Sequence, residues 1–434
     1  MSLQLTNGFT RQIFVVIFCA LCRKKVANKN LLSEPGVSNQ ESLLGYHSDL
    51  MIEMYESLQL SGLDKFICAD CVVDEALMDL VKDNLSAKTC SYCDEISEDG
   101  ELISAPYNVV MERVYETIFQ YYADAQDVDM PWVEKEWLMP DTNIYEVIGK
   151  FDPGWSGDFC EDIAESCNPN LYLVEHVNND WSIESPAYAL SYGWSAFKEQ
   201  VLFKTRYLFL SEPEDEFSVG RPDYIPISSM LDALGTLCNS ENLVKTVSAG
   251  TEFYRVRVNN GEDLFTEFSD VGVPPKGIAS AGRMNPAGIS YFYVAYDQVT
   301  AEKEVIDTAT KWTVAKFQTL KEITVIDFVD LPTMPSIFSE NNYESRQNLS
   351  FLRPLVNELT LPVSKDGLEH VEYVPTQIIS EYFRCRFKTN DEKNVLGLRY
   401  PSVKNESGIN IAIFDSENES LEKLFELVSI EQNC

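Results

Sequence analysis

Two Cys-x-x-Cys pairs, Cys68-Ala-Asp-Cys71 and Cys90-Ser-Tyr-Cys93, constrain the fold of this chain more than any other feature. Eighteen residues separate the pairs, and the stretch Asp74 to Leu85 between them has helical character. Two such knuckles can bring four thiolates to the corners of a tetrahedron around zinc. A site with sulfur at every corner keeps no position for substrate, so its metal holds a fold and does no chemistry. The competing reading is four free cysteines in an intracellular core, which the paired spacing disfavours. Cys19 and Cys22 form a third pair, but it lies in an apolar run with no matching fourth, and we read them as packing residues.

The eleven cysteines are an odd number and sparse for 434 residues, which fits a reducing compartment and a cytoplasmic protein. Ile13 to Leu21 is apolar and flanked by Arg11 and by Arg23, Lys24 and Lys25. No small-residue cleavage site follows it, and a bilayer span needs about 20 residues, so it reads as an extension or a buried element rather than a stable membrane insertion. Against 34 basic residues stand 69 acidic ones, a net charge of −35, which opposes broad binding to nucleic acid or to anionic membranes. A small anionic substrate is still accommodated if a few arginines converge locally.

Changes of pattern divide the chain into an N-terminal extension (1–62), a zinc knuckle (63–104), a helical region (105–215), a linker with a short helix from Ile227 to Leu237 (216–245), a C-terminal domain (246–415) and an acidic tail (416–434). In the helical region Val109, Val110, Val114, Ile118 and Phe119 recur at helical spacing after Pro106. Trp194 to Leu210 predicts a second helix with Phe197, Val201, Phe203 and Leu208 close together. The linker begins in the acidic, proline-containing segment Glu212 to Pro226. Beyond Glu252 six strands are expected, at Phe253–Val258, Ser290–Tyr296, Lys311–Phe317, Ile323–Phe328, Val395–Tyr400 and Ile409–Phe414. Helices are expected at Thr300–Ala309, Asn348–Leu359 and Thr376–Phe387. The fold class is α+β.

Three segments of the C-terminal domain carry residue types suited to a phosphorylated nucleoside. They are Tyr254-Arg255-Val256-Arg257, the loop Ala281-Gly282-Arg283-Met284-Asn285-Pro286-Ala287-Gly288 running on to Tyr293 and Glu304, and Leu398-Arg399-Tyr400-Pro401-Ser402. Arg255 and Arg283 offer planar forks for a pyrophosphate, and the glycines around Arg283 let backbone approach a bulky ligand. A strand, a turn and the start of a helix can bring Tyr293 and Glu304 into one pocket, with Ser402 at a strand end. Taken singly, each of these residues has an ordinary structural role as well.

The succession FYRVR, AGRMNPAGISYFYVAYDQVTAEKEV and LRYPS resembles the RES domain, a bacterial family named for its Arg, Glu and Ser. Met284 stands where the family's loop usually has Trp, a departure shared with a longer subgroup whose domain follows a zinc-knuckle and helical region. The resemblance implies a fold like that of ADP-ribosyltransferase toxins. It further implies an NAD+-consuming enzyme, with Arg255, Glu304 and Ser402 as catalytic residues and Tyr254, Arg283 and Tyr293 binding substrate. It also implies a toxin or phage-defence effector held by an antitoxin or regulatory partner. The acceptor is left open between water, phosphate and a protein side chain, that is, between glycohydrolase, phosphorylase and ADP-ribosyltransferase.

The helical region is similar to HEPN bundles, some of which are ribonucleases with an arginine four to six residues before a histidine. His47, His176 and His370 all lack an arginine at that distance, which argues against such a nuclease. A protein-binding module with a vestigial pocket is the remaining alternative, and the completeness of the arginine, tyrosine, glutamate and serine set argues for an enzyme.

Overall fold

The computed structural model describes residues 64–167, 171–211, 220–259, 264–306, 311–361 and 369–433. The expectations for the N-terminal extension and for most of the acidic start of the linker lie outside the described residues. The chain forms two compact units, Met1–Trp181 with Ser336–Tyr343, and Ser182–Pro335 with Glu344–Cys434.

In the first unit β1 (Phe66–Cys68) pairs antiparallel with β2 (Ser104–Pro106), and α1 (Ala69–Val72) and α2 (Glu75–Asp83) lie between them in the chain. Asp74 caps α2 by accepting from the N–H groups of Ala76 (2.9 Å) and Leu77 (3.2 Å), and its carboxylate is held in turn by the Ser336 hydroxyl. Leu77 and Val81 form the buried stripe of that helix. The long α3 (Tyr107–Tyr121) starts directly after Pro106 and buries Val110, Met111, Val114 and Ile118. Short strands β3 (Tyr122–Asp124), β4 (Trp132–Val133), β5 (Glu136–Trp137) and β6 (Leu173–Glu175) interrupt the helices α4 (Ile144–Phe151) and α5 (Gly157–Ser166). Phe159, Ile163, Trp155 and Phe338 complete this core.

The second unit opens with α6 (Pro186–Glu199), so the region expected to be one helical domain to residue 215 is divided between Trp181 and Ser182. The helix expected to run from Trp194 to Leu210 ends at Glu199 and continues as one π turn, Gln200–Lys204, closed by Thr205 N–H on the Gln200 carbonyl. A wider turn shifts the side-chain phase. Trp194, Phe197 and Val201 therefore stay in the core, while Phe203 and Leu208 are 71% and 66% exposed.

After α7 (Met230–Ser240) come β7 (Val244–Val247), β8 (Glu252–Val258), α8 (Phe268–Val271), β9 (Phe292–Ala295), α9 (Gln298–Val305), β10 (Trp312–Thr319) and β11 (Ile323–Asp327). The chain continues through α10 (Tyr343–Thr360), α11 (Glu369–Glu372), α12 (Val374–Cys385), β12 (Gly397–Pro401), β13 (Ile409–Ile413), α13 (Asn418–Leu421) and β14 (Phe425–Asn433). The strands form one sheet of eight in the order β14-β10-β8-β9-β13-β12-β11-β7, antiparallel except between β11 and β12. All six expected strands are present.

The segment 416–434, expected to be an acidic tail, instead carries α13 and β14. The latter pairs with β10 from Thr319↔Phe425 to Trp312↔Asn433. Its glutamates mask an alternation in which Phe425 is buried and Glu426 exposed, the pattern of a strand with one wet face. One face of the sheet packs Phe253, Phe292, Val294, Phe317, Ile411 and Phe425. The other carries Ile326, Leu398, Tyr400 and Ala412 against residues of α7, α10 and α12, and Val256, Ala295 and Val314 against Ala301 of α9. No helix among the described residues is long and apolar enough to cross a membrane.

Candidate active site

Glu304 sits in the last turn of α9, whose position is fixed at the other end. Asp297 caps the helix, accepting from Thr300 N–H (2.8 Å) and from the Thr300 hydroxyl (2.6 Å). The Asn405 amide donates to that same hydroxyl oxygen at 2.7 Å, tying the helix start to the turn that follows β12. A side chain at Gly408 would run into Thr300 and Asn405, so only glycine lets the turn close there.

The turn sets Ser402. Its hydroxyl accepts from the backbone N–H of Lys404 (3.2 Å) and Asn405 (3.1 Å) and donates to Glu304 Oε1 at 2.5 Å. Asn410, buried on β13, donates its amide to the same Oε1 at 2.7 Å, and Lys404 Nζ donates to the Glu304 backbone carbonyl at 2.9 Å. One oxygen of the half-buried carboxylate is thus fixed by two donors, while Oε2 has no hydrogen-bond partner among the described residues. A carboxylate with one oxygen anchored and the other free is suited to accept a hydroxyl from a ligand.

The loop with Arg283 is a closed hydrogen-bond structure. The Asn285 amide donates to the carbonyls of Ser280 (3.0 Å), Pro286 (3.1 Å) and Ile289 (2.8 Å), and Asn285 Oδ1 accepts the Tyr293 hydroxyl at 2.6 Å. That hydroxyl also accepts from Met284 N–H at 3.1 Å. From α12, Gln377 donates to the carbonyls of Gly282 (2.8 Å) and Asn285 (3.0 Å), and the Thr376 hydroxyl donates to that of Arg283 (2.8 Å). A Cβ on Gly282 would stand 2.6 Å from Asn285 Oδ1 and 3.0 Å from the Tyr293 hydroxyl, so the glycine is required by a close approach. Burial pushes the Tyr293 phenol well above its usual pKa. Tyr293 therefore uses its hydroxyl to lock the loop. Arg283 donates to the Leu359 carbonyl at 2.8 Å and lies 5.5 Å from the centre of the Tyr373 ring.

Arg255 lies apart from these contacts. β8 and β9 pair only at Tyr254↔Ala295. Where they diverge, Arg255 Nη1 donates to the Tyr293 carbonyl at 2.6 Å, with its guanidinium 5.2 Å from the Phe292 ring centre. It bonds neither Glu304 nor Ser402, and strand alternation places it on the Phe292 side of the sheet, opposite Tyr254, Tyr293 and Asn410. Burial, followed by the neighbouring charge of Arg257, pulls its pKa down to about 9. Arg257 donates to the Gly272 carbonyl, and the buried Nε atoms of both arginines lack partners. Tyr254 faces Lys316, whose ammonium lies 5.7 Å from the ring centre.

The structure therefore joins Glu304 directly to Ser402, joins Tyr293 to the backbone of the Arg283 loop, and links Arg255 to this group through the Tyr293 carbonyl. Two further residues belong to the cluster. Asn410 is a lone amide in an otherwise apolar strand, Ile409-Asn410-Ile411, which marks the residue without placing it beside Glu304. Tyr400 is buried beside it as its ladder partner. Burial raises the Tyr400 phenol far above its usual pKa, nearby Tyr293, Glu304 and Tyr373 add to the rise, and Arg283 opposes it.

In the first unit the Sγ atoms of Cys68, Cys71, Cys90 and Cys93 all lie within 4.8 Å of one another, a set that could hold a metal ion. The N–H groups of Cys68 and Tyr92 both point at Cys90 Sγ at 3.4 Å, donors that suit a thiolate. His176 is occupied structurally, with Nδ1 accepting from Asn179 N–H at 3.1 Å and Nε2 3.3 Å from the Phe119 carbonyl.

Comparison with protein families matches HEPN/RES N-terminal domain 1 to residues 83–215 and the RES domain to residues 252–429. The first match begins within α2 and so takes in only the second cysteine pair, and the second extends into β14. No curated protein and no solved structure matches the chain. The chain thus carries a RES domain at residues 252–429, preceded by HEPN/RES N-terminal domain 1 at residues 83–215.

Proposed function

We propose that the RES domain of this protein cleaves the bond between nicotinamide and ribose in NAD+. The observation that carries this reading is the Glu304 carboxylate, held at Oε1 by Ser402 and Asn410 with Oε2 left to accept a ribose hydroxyl. When the C–N bond breaks, its electron pair leaves with nicotinamide and neutralises the pyridinium ring. The ribose carbon acquires oxocarbenium character, and a fixed carboxylate alongside stabilises that charge. Ser402 and Asn410 act through Glu304 as positioning residues. Arg283 is the cation available for the diphosphate, Tyr293 holds the loop that carries it, and Arg255 braces the Tyr293 carbonyl from the opposite face of the sheet.

Water as acceptor gives ADP-ribose and a proton; inorganic phosphate gives the ADP-ribose phosphate ester; a protein side chain gives an ADP-ribosylated target. We favour the two small acceptors. In a cell such consumption of NAD+ would act as a toxin or defence effector, restrained by an antitoxin or regulatory protein in the cytoplasm. The four cysteines would hold structural zinc, which ties β1 and α1 to the Cys90–Cys93 segment ahead of β2 and leaves the reaction to the other unit.

Incubating purified protein with NAD+, with and without phosphate, and separating the products by chromatography tests the reading. Free nicotinamide with ADP-ribose or its phosphate ester is expected. Intact NAD+ under both conditions would refute it.

A further inference from the structure

Tyr400 is 8% exposed, and its hydroxyl has no hydrogen-bond partner among the described residues. Unlike the hydroxyl of Tyr291, which is sealed from solvent without a partner, that of Tyr400 is within reach of a ligand. The groups around it are engaged with one another, and the two acceptors left open there, Glu304 Oε2 and Asn410 Oδ1, form no hydrogen bond with it. Tyr293 donates to Asn285 and accepts from Met284, Ser402 donates to Glu304, and Asn410 donates to the same carboxylate oxygen. Strand geometry makes this vacancy specific. Asn410 is the ladder partner of Tyr400, and Ser402 lies two residues further on the same face, so the phenol stands beside both donors that anchor Glu304. With its pKa raised by burial, the phenol keeps its proton across the physiological range and is available as a donor.

We propose that Tyr400 donates this hydrogen to one hydroxyl oxygen of the ribose whose other hydroxyl is accepted by Glu304 Oε2, so that the site selects a substrate with an intact vicinal diol. The inference rests on the NAD+ reading above and adds to it a residue that determines specificity. It also explains why an aromatic with a hydroxyl, rather than phenylalanine, occupies a position on the apolar face of β12.

Tyr400→Phe removes the hydroxyl and keeps the ring. Wild type and variant are compared on NAD+ and on the two analogues that each lack one hydroxyl of the nicotinamide ribose, with thermal melting measured on both proteins. On NAD+ the variant loses about tenfold or more in kcat/KM, the scale of one buried hydrogen bond. On one of the two analogues wild type and variant become equal, because the hydroxyl that Tyr400 would bind is absent. Melting is unchanged or higher, since the deleted hydroxyl had no protein partner. Equal rates on NAD+, or the same fractional loss on all three substrates, would overturn the proposal while leaving NAD+ cleavage intact. Failure of wild type itself to release nicotinamide would overturn both.

Discussion

Replacing Ser402 with alanine separates a residue that acts through Glu304 from one that acts on substrate. The substitution removes a 2.5 Å hydrogen bond to a carboxylate and leaves the N–H groups of Lys404 and Asn405 without their acceptor. A hydrogen bond to a charged group contributes about 1.5–3 kcal/mol, so if it is fully expressed in the transition state kcat falls by roughly 10- to 150-fold. Two N–H groups losing the buried hydroxyl that accepts from both also lower stability, and each kcal/mol shifts the melting point of a unit this size by about 2–4 °C. The decisive assay is the cycle of Ser402→Ala, Glu304→Gln and the double variant, scored by nicotinamide release. Residues that work as a unit are strongly non-additive, so Ser402→Ala is expected to cost almost nothing further once Glu304 is gone. The same fractional loss in both backgrounds would refute the reasoning and assign Ser402 a direct contact with substrate.

Other consequences follow from the same geometry. Gly282→Ala forces a Cβ against Asn285 and Tyr293, and is expected to reduce nicotinamide release at least tenfold with a lower melting point; unchanged kinetics would show that the loop need not be rigid. Phe292→Ala, in a ring cluster with Phe317 at 5.0 Å and Phe425 at 5.4 Å, should cost about 3–5 kcal/mol in denaturant unfolding of the sheet unit. Arg221 holds the Asp223 carboxyl down to about 2. Because the folded value lies below the ordinary one, its stabilisation is present above about pH 4 and lost as pH falls towards 2. Asp223→Asn should therefore melt earlier than wild type at pH 7, with the gap closing in acid. Metal analysis should find one zinc per chain, and Cys71→Ser should lose it together with thermal stability of the first unit; full stability without bound metal would contradict the zinc assignment.

Much of the C-terminal domain was legible because its inner strands alternate or run apolar over five or more residues, as in Ile323–Asp327 and Ile409–Ile413. β7 is only four residues long, and β14 is interrupted by glutamates, so neither carries a clear period. The end of α6 was hidden because a π turn preserves hydrophobic composition while changing phase. Glu304 and Ser402 were identified through short motifs, but the bond between residues 98 positions apart is a product of topology. Asn410 and Tyr400 enter the site only through the register of β12 with β13, which no local pattern encodes. For Arg255 the motif named the residue, and the divergence of β8 from β9 set where its guanidinium reaches.

The most direct test of the central claim is nicotinamide release from NAD+ by wild type and by Glu304→Gln under identical conditions, with NAD+ binding measured for both. Wild type is expected to release nicotinamide, and the variant to fall by at least about a hundredfold with binding retained within a few-fold, since the carboxylate serves the transition state more than the ground state. Equal release by the two proteins would contradict the claim.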